Sequence, residues 1–519
     1  MRPSTDLFDL VQTLTKSEKR FFKLSSSLQQ GEKNYLKIFD VIEKQDEYDE
    51  EEIKETFSNE NFIKHLPSEK NHLYRLLLKS LRAYHSDNTV SSMLKEELKN
   101  IEILYRKALY RECNKFLEKA KRMAIDHEKF YYLFELLNWE KILLEEAYES
   151  GEFSKDIDSL IAEEQEVIEK LRNLAAYHIL YSKINYVFRS GGYVRSEADK
   201  ALVEEISHHP LIIGKNTALS FRAATICYYI QGFCATAKVD KQTALVKFER
   251  VKDILDANPK IRKDLPKRYM RTLSNMLTLF LDLGRLEEAE TMIKTMRDMQ
   301  KEDNFDTDDV DNMVFRTTNL AEIRILEQKG EYEEALKVVD KIIEIMENLS
   351  ARILKEHELF FLNSIASVYF GAGRHKESLQ WLNRVLNDNE SSLRQDIYSY
   401  ARLFNLVVHY ELQNHDLLKY VIKSTFRYLS RRKRDHDLEV TILTHMKRLA
   451  ANRGDYLQER VIFQEFKEAL NDCLQDESNR IILSHFNYPA WIESKLRNLP
   501  FADTVKEMHM NSVVEAEES

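Results

Sequence analysis

The sequence predicts an all-α protein built as a repeat array behind an N-terminal helical domain, and three observations carry that prediction. Gly and Pro are scarce, 11 and 7 in 519 residues, against average usage of about 7% and 5%. Folds that depend on many tight turns or on Gly-rich phosphate loops are thereby disfavoured. Apolar residues recur with the helical period along almost the whole chain. The same helix–turn–helix pattern also returns at intervals longer than forty residues, marked by Gly284, Gly330 and Gly373, which stand 46 and 43 positions apart.

The clearest element is LSNMLTLFLDLGRLEEAETMIKTM. Leu273, Met276, Leu277 and Phe280 fall at i, i+3, i+4 and i+7, one apolar helical stripe. Gly284 breaks it, and Leu286, Ala289, Ile293 and Met296 resume the spacing. This predicts a helix, a turn with Gly just past its C-terminus, and a second helix packed back on the first. AEIRILEQKGEYEEALKVVDKIIEIM places Ile323, Leu326, Gly330, Ala335, Val339 and Ile342 in the matching slots, and SIASVYFGAGRHKESLQWLNRVL does so with Ile365, Ala366, Tyr369, Gly373, Ser378, Leu382 and Val385. Fainter copies run from Tyr228 through Gly232, Ala244, Phe248 and Val251 to Pro259, through Cys113, Leu117 and Ala120, and from Tyr410 with Asn414.

These stretches resemble tetratricopeptide repeats, which set bulky, small and Tyr residues on a first helix and small, apolar and small residues on a second. The resemblance covers roughly 400 residues, from about Asn100 to about Pro500. The pairs are longer than the regular repeat of about 34 residues, by about two helical turns. The resemblance implies a right-handed α–α superhelix in which each pair buries its apolar face only by stacking on its neighbours. It also implies a concave groove lined by first helices. By register, those positions are Tyr229, Phe233, Arg271, Asn275, Thr278, Leu320, Arg324, Asn363 and Ser367. An Asn amide both donates to and accepts from extended backbone, and Arg pairs with a carboxylate through two parallel hydrogen bonds. The Lys/Asn clamp of chaperone-cofactor tetratricopeptide domains has no evident counterpart here.

Two breaks divide the array. Ser190 to Asn216 holds three of the eleven glycines and one proline and reads as a joint; Lys301 to Asp311 reads as an acidic loop between repeats. The expected organisation is an N-terminal helical domain at 1–90, a first sub-array at 91–190, the main solenoid at 191–500, and a flexible tail at 501–519.

Charge and motifs narrow the function. The net charge of −10 supplies no global pull toward nucleic acid or anionic membrane. Cys113, Cys227, Cys234 and Cys473 show no CxxC pair and no metal spacing, which fits a reducing compartment. No signal peptide and no apolar run of about 18 residues is visible, so the expected location is the cytoplasm, with no membrane partner. GKNT at Gly214 lacks the first Gly and the Ser/Thr of a phosphate loop, and the acidic loop lacks the Gly and Glu spacing of a calcium site. No HExxH, GxSxG or GxGxxG occurs. No cofactor, no metal and no enzymatic activity are expected.

One N-terminal segment suggests a different chemistry. YDEEEIKETF followed by KNHLYRLLLKSLRAYH can form a helix-turn-helix, with Leu73, Leu76, Leu77 and Leu81 inward and Lys70, Arg75, Lys79 and Arg82 toward phosphates or base edges. The acidic stretch Asp46 to Glu52 directly before it opposes DNA, and a helical cap sealing the array accounts for the same residues. The basic run Arg431 to Arg434 similarly reads as a solvated helix end. The leading functional reading is therefore a non-catalytic protein- or peptide-binding scaffold. The alternative is a cytoplasmic peptide-sensing regulator with an N-terminal DNA- or effector-binding domain, a layout that looks like that of peptide-receiving bacterial regulators. The ligand's identity and the oligomeric state lie beyond the sequence.

Overall fold

A computed structural model describes residues 5–27, 33–86, 89–147, 156–189, 197–348, 355–388, 395–432, 436–452 and 454–518. It is all-α, with no strand among the described residues. Two compact units are present, Met1–Ile168 and Glu169–Ser519, and the division falls inside one long helix.

The first unit opens with α1 (Asp6–Thr13), α2 (Lys16–Ser27), α3 (Asn34–Ile42), α4 (Glu50–Thr56) and α5 (Leu66–Tyr84). Val11, Phe22, Phe39, Leu73 and Leu77 form their common core. Leu73 and Leu77 are buried as expected, while Leu76 and Leu81 are half-buried against the same core. The unit continues through α6 (Val90–Arg106), α7 (Tyr110–Asp126), α8 (Phe130–Ala147) and the start of α9 (Ile157–Arg189).

The second unit holds the rest of α9, then α10 (Glu197–Ser207), α11 (Pro210–Ile213), α12 (Phe221–Ala237), α13 (Lys241–Ala257), α14 (Pro259–Asp264), α15 (Pro266–Asp282), α16 (Leu286–Met299), α17 (Asp308–Lys329) and α18 (Tyr332–Asn348). It closes with α19 (Lys355–Gly371), α20 (His375–Leu386), α21 (Gln395–Glu411), α22 (His415–Arg431), α23 (Asp437–Ala451), α24 (Tyr456–Cys473), α25 (Tyr488–Arg497) and α26 (Phe501–Glu518). Consecutive helices pack on each other. First helices also pack on the next first helix, α15 on α17, α17 on α19 and α19 on α21. Each pair thus buries one face internally and another against its neighbours, as a repeat array requires.

The turn between paired helices is one recurring device. Gly284, Gly330 and Gly373 take φ near +72°, and the N–H of the following residue reaches the carbonyl five positions back: Arg285 to Phe280 at 2.9 Å, Glu331 to Leu326 at 2.8 Å, Arg374 to Tyr369 at 2.8 Å. This satisfies carbonyls that the helix end leaves open. Ala108, Val239 and Gln413 adopt the same left-handed conformation with the same bond, Leu109 to Leu104, Asp240 to Ala235 and Asn414 to His409. The faint repeats therefore share the turn and lack only its glycine.

Small residues permit close approach between helices, at Gly232, which the repeat pattern marks, and at Gly371, which it does not. A Cβ at Gly232 would stand 2.8 Å from the Phe248 ring, and one at Gly371 would overlap that of Tyr332.

The segment after Phe501 departs from the expected flexible tail. It forms α26, whose Thr504 and Val505 are buried and whose backbone at Ala502 and Lys506 approaches Gly330. Phe501 and Val505, one turn apart, give it an apolar stripe that covers the α17–α18 turn, so burial outweighs the polar character of its end. Of the expected joint, Ser190, Gly191 and Gly192 lie outside the described residues, as do Lys433 and Arg434 of the basic run. No helix among the described residues is long and apolar enough to cross a membrane.

Candidate functional site

The residues expected on the first-helix face fall into two clusters of the second unit. In the first cluster, Tyr229 on α12 is buried, and its hydroxyl accepts from the Asn275 amide of α15 at 2.8 Å. Phe233, one turn along α12, meets Tyr229 edge-on with ring centroids 5.0 Å apart, and its other face contacts Phe188 of α9. Arg271 is exposed and stands beside Tyr229 on the wall of a cavity of about 280 Å³. The remaining walls are Tyr181 of α9, Ile226 of α12, Arg268 of α15 and the α14–α15 corner from Asp264 to Lys267.

This corner exists because Pro266 starts α15 at a position where Pro costs no hydrogen bond. The short α14 before it ends at Asp264, whose carboxylate pairs with Arg222 at the start of α12. Lys267 pairs with Asp309 at 2.7 Å. Arg268 points at the Thr225 hydroxyl, 3.2 Å away. Burial pulls its guanidinium below the ordinary arginine value; Tyr181 and Tyr229 oppose that pull and Arg271 adds to it. His178 on α9 is likewise lowered, first by burial and then by the positive fields of Arg268 and Arg222. The cavity therefore has aromatic walls and a positive interior, suited to an anion beside an apolar group.

The second cluster lies one and two repeats further on. Arg324 of α17 is paired with Asp282 at the end of α15, at 2.6 Å. Ser367 of α19 donates to the Glu327 carboxylate at 2.6 Å. Burial pushes Glu327 up to about 7, against the Ser367 hydrogen bond and the Arg324 charge. Asn363 is buried, its amide oxygen without a hydrogen-bond partner. Thr278 is exposed and bonds its own helix at the Ser274 carbonyl; Leu320 is half-buried against the core. The structure thus brings Tyr229, Phe233, Arg271 and Asn275 together, and places Arg324, Asn363 and Ser367 apart from them.

In the first unit, Lys70 is engaged inside the domain by Glu50 at 2.5 Å and by the Tyr48 hydroxyl at 2.8 Å. Arg75, Lys79 and Arg82 are exposed on α5 at i, i+4 and i+7, one helix face, and form no ion pair among the described residues.

A larger cavity of about 690 Å³ lies between the α17–α18 and α19–α20 turns and the C-terminal helices, with Tyr332, Phe370, His375, Glu411, Trp491 and Lys495 on its wall. Two of its charges are matched to each other: Glu411 accepts from the Trp491 indole at 2.7 Å and from Lys495 at 2.6 Å. Cys113 and Cys234 are buried thiols, each pushed up to about 11 by that burial, which leaves them unreactive near neutral pH. No cluster of three or more potential metal ligands occurs among the described residues.

Sequence reasoning missed Arg268, Tyr181, Arg222 and Glu327. Arg268 precedes Arg271 by three positions on the same helix face, a signal the spacing contains. Tyr181 comes from α9, far upstream, with no local signal to place it.

No protein-family model and no curated protein matches the sequence. Among solved structures, the fold is similar to the apo form of the quorum sensor NprR from B. thuringiensis, with 13% identity, a TM-score of 0.39, and coverage of 70% of this chain and 98% of that one.

Proposed function

We propose that the chain is a non-catalytic binding protein that receives an extended peptide, or a segment of a partner protein, on the first-helix face of its second unit. One observation carries this reading: Tyr229, Arg268 and Arg271, from two successive first helices, line a cavity with aromatic and cationic walls, and Asn275 donates to the Tyr229 hydroxyl behind it. Such a site supplies a few anchors within a larger, weakly contributing surface. Panning a display library of random dodecapeptides on the full chain tests it. Wild type should enrich families of related peptides, and an Arg271→Ala, Asn275→Ala variant of unchanged circular dichroism should not. Absence of enrichment by wild type, or equal enrichment by both, refutes the reading.

A second reading, a regulator whose N-terminal domain contacts nucleic acid, is favoured by one observation, the exposed face of Arg75, Lys79 and Arg82 free of ion pairs among the described residues. It predicts a gel shift that weakens steeply with salt and disappears in Lys79→Glu, Arg82→Glu. No shift at low salt ends that reading.

A further inference from the structure

The cavity beside α15 carries an imbalance of charge. Among the described residues Asp264 is the one acidic side chain on its wall, and it is already joined to Arg222. Lys267 is joined to Asp309. Arg268 is half-buried beside Thr225, Tyr181 and Tyr229; its guanidinium donates to the Thr225 hydroxyl and has no carboxylate partner among the described residues. Arg271, one turn further on, likewise makes no ion pair among them and opens onto the same space.

A guanidinium partly withdrawn from water without a counter-charge is costly, because it has given up part of its hydration and gained no anion. An entering oxyanion removes that cost, so the free protein is already arranged for one. The chemistry of the anion follows from the walls. A guanidinium offers parallel N–H groups that match the two oxygens of a planar carboxylate. The Asp264 carboxylate on the same wall disfavours a second negative charge, which sets a carboxylate ahead of a phosphate dianion. A volume of about 280 Å³ is at the lower edge of the roughly 300–1,000 Å³ of small-molecule sites. It suits the end of a longer ligand better than a free metabolite. Tyr181 and Tyr229, whose rings meet edge-on with centroids 5.8 Å apart, offer apolar surface for the residue bearing the carboxylate.

We infer that this cavity is a carboxylate anchor: Arg268 and Arg271 pair with one carboxylate of the bound peptide, and Tyr181 and Tyr229 pack on the residue that carries it. The inference rests on the peptide-binding reading above and adds the chemistry of the ligand. The carboxylate comes either from a chain terminus or from an Asp or Glu side chain.

The test is a saturation-transfer NMR titration of the full chain with four probes: N-acetyl-L-phenylalaninate, N-acetyl-L-phenylalaninamide, N-acetyl-L-aspartyl-L-phenylalaninamide and inorganic phosphate. A charge-assisted pair predicts at least about a tenfold advantage for one carboxylate probe over the neutral amide. That advantage should collapse in Arg268→Gln and in Arg271→Gln. Should the half-buried Arg268 be needed for folding, the exposed Arg271→Gln still decides. The terminal and aspartyl probes separate the two sources of the carboxylate. Equal binding of carboxylate and amide, an advantage that persists in both arginine variants, or tighter binding of phosphate than of either carboxylate overturns the anchor. Peptide panning distinguishes this failure from that of the broader reading. Peptides enriched without any carboxylate advantage refute the anchor alone, whereas a carboxylate advantage without enriched peptides refutes the peptide reading alone.

Discussion

Glu327 makes the stability of the second unit depend on pH in a direction opposite to that of most paired carboxylates. Its side chain is half-buried beside Ser367 and Tyr332, and the carboxyl is pushed from an ordinary 4.5 to about 7 by loss of water. The folded chain therefore keeps this proton over a range in which the unfolded chain has released it. Stability from this group is highest below about 4.5, declines as pH rises, and is fully lost above about 7. At about 1.36 kcal/mol for each tenfold change, the full penalty is about 3 kcal/mol. Most of it, about 2 kcal/mol, develops between pH 5 and pH 8 by the same relation. Glu327→Gln keeps an oxygen to accept from Ser367 and cannot ionise. The variant should match wild type within about 1 kcal/mol at pH 5 and exceed it by about 2–3 kcal/mol at pH 8. Urea unfolding followed by far-UV circular dichroism at the two pH values, with m compared to confirm a common transition, measures the difference. A variant less stable than wild type at pH 8, or a gap that does not change with pH, refutes the reasoning.

The remaining predictions concern packing, turn geometry and a buried ion pair. Gly371→Ala drives a Cβ into the Tyr332 ring and should cost about 2–3 kcal/mol through overpacking. Gly373→Ala meets nothing within 4 Å and pays only for φ +73°, about 1 kcal/mol; equal losses in thermal melts would contradict the packing account. Val239→Gly relieves a β-branched residue held at φ 61° and should stabilise by about 0.5 kcal/mol after Gly's own entropy cost, read as a raised midpoint. In the first unit, Lys121 is buried between Glu140 at 2.5 Å and Glu163 at 3.0 Å. Lys121→Met should cost about 3–5 kcal/mol at pH 7, and Glu140→Gln added to it should recover a large part; no recovery would show that charge is not the cause.

The parts of this protein readable from residues alone are those governed by neighbours close along the chain. Helical periodicity places Leu273, Met276, Leu277 and Phe280 on one stripe, and all four are buried in the structure. Gly284, Gly330 and Gly373 mark turns because a left-handed residue is required there and Gly adopts it without strain. Where Ala108, Val239 and Gln413 take the same conformation, the marker is missing and the repeat is faint, although the turn is identical. Tertiary structure decided the rest, because it depends on which distant groups meet. Arg324 finds Asp282, a partner 42 residues away, and Lys70 finds Glu50 across 20; each was expected to face a ligand and is instead paired within the fold. Arg268 differs from them only in what surrounds it. Tyr181 and Tyr229 stand beside it, Asp264 is taken by Arg222, and no spacing along the chain could foretell that these would converge. Whether a charge is paired or left to receive an anion is settled by burial and by the competition of all neighbouring charges, and both are properties of the assembled fold.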